Sequence, residues 1–182
     1  MILAKSGWSK QGGFEIYLLD NNLGESLWAE VKSAGAKYNI GPGAPNYVER
    51  LESGLLSFRT DCDDHSNPFE FGLGRFIDLD QNQEFIGKAA LQKIKQTGVK
   101  RDFVGLRIDG PRFSSPPEDR SSIYTDDKYV GYASAAAYSP RLNSNIAVGV
   151  IDTRHAIDGN EVVVDFSDHK RGARVTPLPM FR

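Results

Sequence analysis

The stretch Ser6-Gly7-Trp8-Ser9-Lys10-Gln11-Gly12-Gly13-Phe14-Glu15-Ile16 is a glycine-flanked loop that runs into alternating residues. Behind the Gly12-Gly13 pair, Phe14-Glu15-Ile16-Tyr17-Leu18 alternates apolar and polar, the signature of a half-buried strand entered through a tight turn. Successive side chains on a strand point to opposite sides, so Glu15 and Tyr17 share a face. The chain therefore begins with a strand whose open face presents a carboxylate.

Working outward, Leu27, Trp28 and Val31 fall on one side of a helix, with Gly35 where a C-terminal cap belongs. Gly41-Pro42-Gly43 breaks the chain and Pro45 suits a first helical turn. Val48, Leu51 and Leu55 then recur at helical spacing, which predicts a second helix. The segment 59–67 is polar and mostly acidic, and 68–79 reads equally as strand or loop around Gly72 and Gly74. Between Gly87 and Gly98 a short third helix is expected, with Ala90, Leu91 and Ile94 on one face. From residue 101 onward the chain turns to short runs rich in β-branched and aromatic residues, at 103–108, 122–125, 129–135, 146–151 and 161–166. Turn signals at Asp126-Asp127 and Asp158-Gly159-Asn160 separate some of these runs, as expected for a small antiparallel barrel or sandwich. These readings give an α+β chain with a boundary near Gly98, dividing 1–98 from 99–182.

With 182 residues, 40% of them hydrophobic and 25% charged, the chain is long enough for a sizeable core. A net charge of -2, with Lys and Arg scattered along the sequence, gives no basic surface for nucleic acid. No apolar run approaches the length of about 20 residues that crosses a bilayer, and the N-terminus lacks a long apolar leader segment, so a cytoplasmic chain is expected. The single cysteine, Cys62, lies among Asp61, Asp63 and Asp64, whose charges disfavour a thiolate. His65, His155 and His169 show no spacing that presents two nitrogens to one metal, so no metal site is expected. Neither a phosphate-binding glycine loop nor a nucleophile-elbow serine is present.

The opening loop and strand resemble the folate-site strand of the glycine-cleavage T-protein superfamily. Further stretches match in order: Arg50-Leu51-Glu52-Ser53-Gly54-Leu55; Asn67-Pro68-Phe69-Glu70-Phe71-Gly72-Leu73; Phe85-Ile86-Gly87-Lys88-Ala89-Ala90-Leu91; Ser139-Pro140-Arg141-Leu142 with Asn145-Ile146-Ala147; and 173–181. The loop Trp8-Ser9-Lys10-Gln11, and Asn46-Tyr47 in place of an arginine-aspartate pair, resemble the dimethylsulfoniopropionate demethylase branch more than glycine cleavage itself. The resemblance implies the C-terminal part of the folate-binding α/β domain followed by an antiparallel β-barrel domain. It also implies tetrahydrofolate as cofactor and a small sulfonium compound as methyl donor, with no need of a metal. Residues carried over are Glu15, Tyr17, Lys10 and Arg50 for the cofactor and Trp8 and Tyr17 for the sulfonium.

A carboxylate suits the pterin because it accepts two parallel hydrogen bonds from an amino group and the neighbouring N–H. An aromatic face suits a sulfonium through the ring quadrupole. No catalytic residue is identified in these residues. The superfamily's N-terminal half, with its catalytic aspartate, has no counterpart in them, so the resemblance implies a fragment completed by that half or by a homo-oligomer.

Plainer readings stand beside these. Trp8 can be a packing residue, Glu15 a solvated one and Tyr17 a residue closing the core edge. Arg50 can be an ordinary helix-surface residue, and Arg141 either anchors the domain interface or reaches the folate tail. The rival functions are an aminomethyltransferase partnered with a lipoyl carrier protein, a noncatalytic folate-fold protein assisting iron–sulfur or tRNA chemistry, and an interaction module. The first lacks its acidic loop here and the second its cysteine signature between residues 85 and 91.

Overall fold

The structure, a computed structural model, describes residues 1–6, 12–43, 46–167 and 169–181. Backbone contacts group Met1–Arg50 as one unit and Leu51–Arg182 as another.

In the first unit, strand β1 (Ile2–Ala4) pairs antiparallel with β2 (Glu15–Tyr17), setting Ile2 opposite Tyr17, Leu3 opposite Ile16 and Ala4 opposite Glu15. The expected strand forms, but it is not half-buried: all three β2 residues are exposed. A two-stranded ribbon has two faces to cover, and among the described residues of this unit no apolar side chain is buried. Helix α1 (Gly24–Gly35) carries Leu27 and Val31 half-buried and leaves Trp28 exposed. Gly35 stays right-handed and continues into a single 3-10 turn. The left-handed residue that ends the helical path is Asn39, at φ 58°, since Asn tolerates that region better than other non-glycine residues. Helix α2 (Tyr47–Ser53) opens on Asn46, whose Oδ1 accepts the Val48 N–H at 2.9 Å, an N-cap that satisfies an otherwise unpaired donor. Pro45, expected in the first turn, lies outside the described residues.

In the second unit, Gly54 at φ +66° terminates α2 and leaves Leu55 beyond it. The ambiguous 68–79 segment is neither strand nor plain loop. It holds two 3-10 turns, Pro68–Phe71 and Leu73–Phe76, with Asn67 and Glu70 forming a reciprocal capping box. Helix α3 (Lys88–Thr97) ends at Gly98, which has positive φ.

Six strands follow: β3 (Arg101–Ile108), β4 (Ser121–Thr125), β5 (Lys128–Ser139), β6 (Ser144–Asp152), β7 (Glu161–Phe166) and β8 (His169–Thr176). They close into an antiparallel barrel of order β3-β6-β5-β4-β7-β8. The strand pattern alone fits a barrel or a sandwich, and closure bears out the barrel that the resemblance implies. β5 outruns its predicted 129–135 span because Ala135, Ala136 and Ala137 pair with Val148, Ala147 and Ile146. β8 was not predicted, because only Ala173 and Val175 of His169–Thr176 point inward, at 2% exposure each. The core is formed by Val104, Leu106, Ile108, Ile123, Ile151, Val164 and their neighbours. Each fully buried aliphatic side chain contributes roughly 1.5–3 kcal/mol. Where β5 crosses β6, Gly131 and Gly149 lie so close to the opposing backbone that a side chain at either would strike it.

Within the second unit, polar and aromatic anchors tie 51–98 to the barrel. Arg101 donates to Glu70 through Nε (3.1 Å) and Nη2 (3.0 Å), and Phe71 packs on Phe103 with ring centroids 5.4 Å apart.

Candidate functional site

The register of the ribbon puts Glu15 and Tyr17 on one face, alongside Ala4 and Ile2. Both are exposed, Tyr17 by 51%. The Ser6 hydroxyl donates to Glu15 Oε2. A carboxylate offers about four acceptor positions, two on each oxygen, so the Ser6 bond leaves both oxygens able to receive one donor each of a parallel pair. Trp8 and Lys10 lie outside the described residues. Arg50 departs from its helix-surface reading: it is only 3% exposed, with its guanidinium carbon 6.0 Å from the Tyr47 ring centre.

The remaining motif residues are structural anchors. Glu52, 2% exposed, accepts from Ser139 Oγ at 2.6 Å and pairs with Arg141 at 3.5 Å. Its carbonyl accepts the Met180 N–H at 2.8 Å. Arg141 also lies 4.9 Å over the Phe181 ring. Lys88, 8% exposed, donates to Gln81 O at 2.7 Å and to Glu84 Oε1 at 3.1 Å.

The polar 59–67 stretch hides Asp61, fully buried, which accepts from Ser134 Oγ at 2.5 Å and from the Ser57 N–H at 2.7 Å. Nothing in the acidic run singles out Asp61 from Asp63 or Asp64; only its hydroxyl partner 73 residues away does so. Burial first, and then the Asp61 and Asp63 charges, push the Cys62 thiol up, away from the reactive thiolate. Among the described residues no group of three His, Cys, Asp or Glu could hold a metal ion, and no helix is long and apolar enough to cross a membrane.

With an exposed carboxylate-bearing ribbon, an Arg-Leu-Glu helix locked by its glutamate, and a closed six-stranded barrel in place, two family models account for most of the chain. The GCVT N-terminal domain matches residues 1–81, and the glycine cleavage T-protein C-terminal barrel domain matches 101–182. The chain belongs to the glycine cleavage T-protein superfamily.

Within that family it is 39% identical over 175 residues to the dimethylsulfoniopropionate demethylase of Ruegeria pomeroyi, covering 96% of this chain and 47% of the relative. It is 34% identical over 182 residues to the aminomethyltransferase of Prochlorococcus marinus, covering 100% of this chain and 47% of that one. The fold matches the solved glycine cleavage system aminomethyltransferase T from Bartonella henselae with a TM-score of 0.83 at 21% identity, over 98% of this chain and 49% of that one. The chain thus spans about half the length of the relatives it matches.

Proposed function

We propose that this chain forms part of a tetrahydrofolate-dependent methyltransferase resembling dimethylsulfoniopropionate demethylase, which moves a methyl group from a sulfonium to folate N5. The observation that supports this most is the Glu15 carboxylate, exposed on an open strand face beside Tyr17, together with the 39% identity to the demethylase. The residues fit the cofactor, since the carboxylate keeps acceptor capacity beyond its Ser6 bond and Tyr17 offers a flat surface on the same face. Bound tetrahydrofolate would supply the nucleophilic nitrogen that accepts the methyl group.

The chain's own work is alignment. Glu15 fixes the ring edge, Tyr17 and Trp8 hold the sulfonium over aromatic faces, Lys10 steers either the glutamyl tail of the cofactor or the substrate carboxylate, and Arg50 belongs to the cofactor side. The sulfur–methyl bond would break with its electron pair staying on sulfur, so a neutral thioether would leave, the positive charge would pass to the cofactor nitrogen, and that nitrogen's own proton would be shed to solvent. In-line positioning of this kind can be worth up to roughly 7–11 kcal/mol in model reactions.

The reading treats the chain as cytoplasmic, divides it near residue 98, and requires a polypeptide equivalent to the rest of the relatives' length, or a second copy, to complete the pocket. Titrating tetrahydrofolate into this chain, and into a fusion with the remaining portion of the Ruegeria pomeroyi relative, tests it. Tight binding is expected of the fusion only, and tight binding by the short chain alone counts against the reading.

An aminomethyltransferase is the second reading, favoured by relatives of that name 31–34% identical over nearly the whole chain. Assaying the fusion for thioether release from dimethylsulfoniopropionate, against turnover of an aminomethyl-loaded carrier protein, separates the two.

A further inference from the structure

The segment between β3 and β4 crosses one end of the barrel and is pinned there from below. Asn145, 3% exposed, accepts the Phe113 N–H at 2.9 Å and donates Nδ2 to Pro111 O at 2.9 Å and to Gly110 O at 3.3 Å. Phe113 meets Phe166 edge-on with centroids 5.2 Å apart and packs on the core. From above, Arg171 on β8 lies 4.4 Å over the Phe113 ring. It donates Nη1 to Pro111 O at 2.7 Å and Nε to His169 Nε2 at 2.6 Å.

The guanidinium is thus held in one orientation by a ring, a carbonyl and an imidazole, none of them anionic. Two of its five N–H groups are used by these bonds, and among the described residues it has no carboxylate partner. Arg112, on the same segment, stacks 4.3 Å over Tyr138 and likewise makes no ion pair among the described residues. Both arginines line a cleft of about 380 Å³ together with Ser114, Ser115, Ser167 and His169, a volume within the range of roughly 300–1,000 Å³ typical of small-molecule sites.

We propose that this cleft binds a small organic oxyanion, a carboxylate or a phosphate monoester. A planar guanidinium fork matches both chemistries, and serine hydroxyls add donors that turn to suit either. Because stacking and hydrogen bonds already fix Arg171, little side-chain freedom is lost on binding. Glu118 and Asp119 line the same cleft from the later part of the segment and are exposed. Their charges repel an anion through solvent and direct its charged end to the arginines. The inference does not depend on the reading of Glu15.

The test is an NMR titration of this chain with phenyl phosphate and, separately, with benzoate, at low and high salt. Saturable shifts are expected at residues 112–119 and 169–171, weakening with salt, and the tighter probe identifies the oxyanion class. Arg112→Gln should weaken binding about ten-fold, and Arg112→Lys should restore part of it. Arg154→Gln, a distant arginine paired with Asp152, should leave binding unchanged. The double variant Glu118→Gln/Asp119→Asn should tighten binding a few-fold by removing repulsion. Arg171→Gln removes a latch on the segment as well as a ligand group, so Arg112 carries the decisive comparison. Absence of saturation with both probes, equal losses in Arg112→Gln and Arg154→Gln, or weaker binding by the double carboxylate variant would each overturn the proposal.

Discussion

The β1–β2 ribbon and the β3–β8 barrel are both antiparallel sheets built from alternating residues, yet their apolar side chains meet opposite fates. In the barrel, Leu106, Ile123, Ile146 and Ile151 are fully buried, because closure gives every strand two neighbours and one interior. In the ribbon, Ile2, Leu3, Ile16 and Tyr17 are 40–58% exposed, since two strands alone enclose nothing. Alternation in a sequence therefore specifies a face, and what covers that face is decided by other residues. The barrel supplies its own cover. The Met1–Arg50 unit does not supply one among its described residues, and that unit carries the candidate cofactor carboxylate.

The largest way to break this comparison is a matched pair of truncations. Leu106→Ala in the barrel should cost about 2–5 kcal/mol in urea unfolding, whereas Ile16→Ala in the ribbon should cost well under about 0.5 kcal/mol. Equal losses would mean the ribbon is covered after all. An intermediate effect belongs to the tie between 51–98 and the barrel. Arg101→Gln leaves the Glu70 carboxylate, 7% exposed, without its bidentate partner. With Arg101 itself 40% exposed, solvent screening limits the loss to about 1–2 kcal/mol. Hydrogen exchange should then show 67–76 opening ahead of the strands.

The smallest effect is one of pH. The Arg154 side chain and then its N–H, both donating to Asp152, hold that carboxyl far below the usual carboxylate range. A depressed folded pKa contributes stability that is present above about pH 4, where the unfolded carboxylate is ionised, and is lost as pH falls through the folded value. Asp152→Asn should flatten that acid limb slightly by lowering neutral-pH stability a little while leaving stability at the acid end nearly unchanged. An unchanged acid limb in pH-resolved unfolding would show the surface pair to be without thermodynamic weight.

Much of the barrel was legible in the sequence because its strands are rich in β-branched residues and punctuated by turn residues such as Asp126-Asp127, both left-handed here. β8 escaped because His169-Lys170-Arg171-Gly172 carries no apolar signal and its pairing is specified by β7 and β3. The fate of Arg50 and Asp61 escaped for a related reason. Charged residues read as solvated until a partner far along the chain buries them, as Ser134 does for Asp61. At the candidate site, the shared face of Glu15 and Tyr17 follows from period two alone, whereas their exposure depends on which surfaces pack against the strand, and local spacing cannot encode that.

The placement of β8 has a consequence for the chain's C-terminal end. This strand is the clasp of the ring, bonded to β7 on one side and to β3 on the other. Proteolytic trimming that removed the whole of β8, back to His169, would therefore unfasten both seams at once, turning a surface without edges into a curled sheet with two bare borders. Such borders pair with other chains, so clipped molecules would tend to polymerise before they unravel.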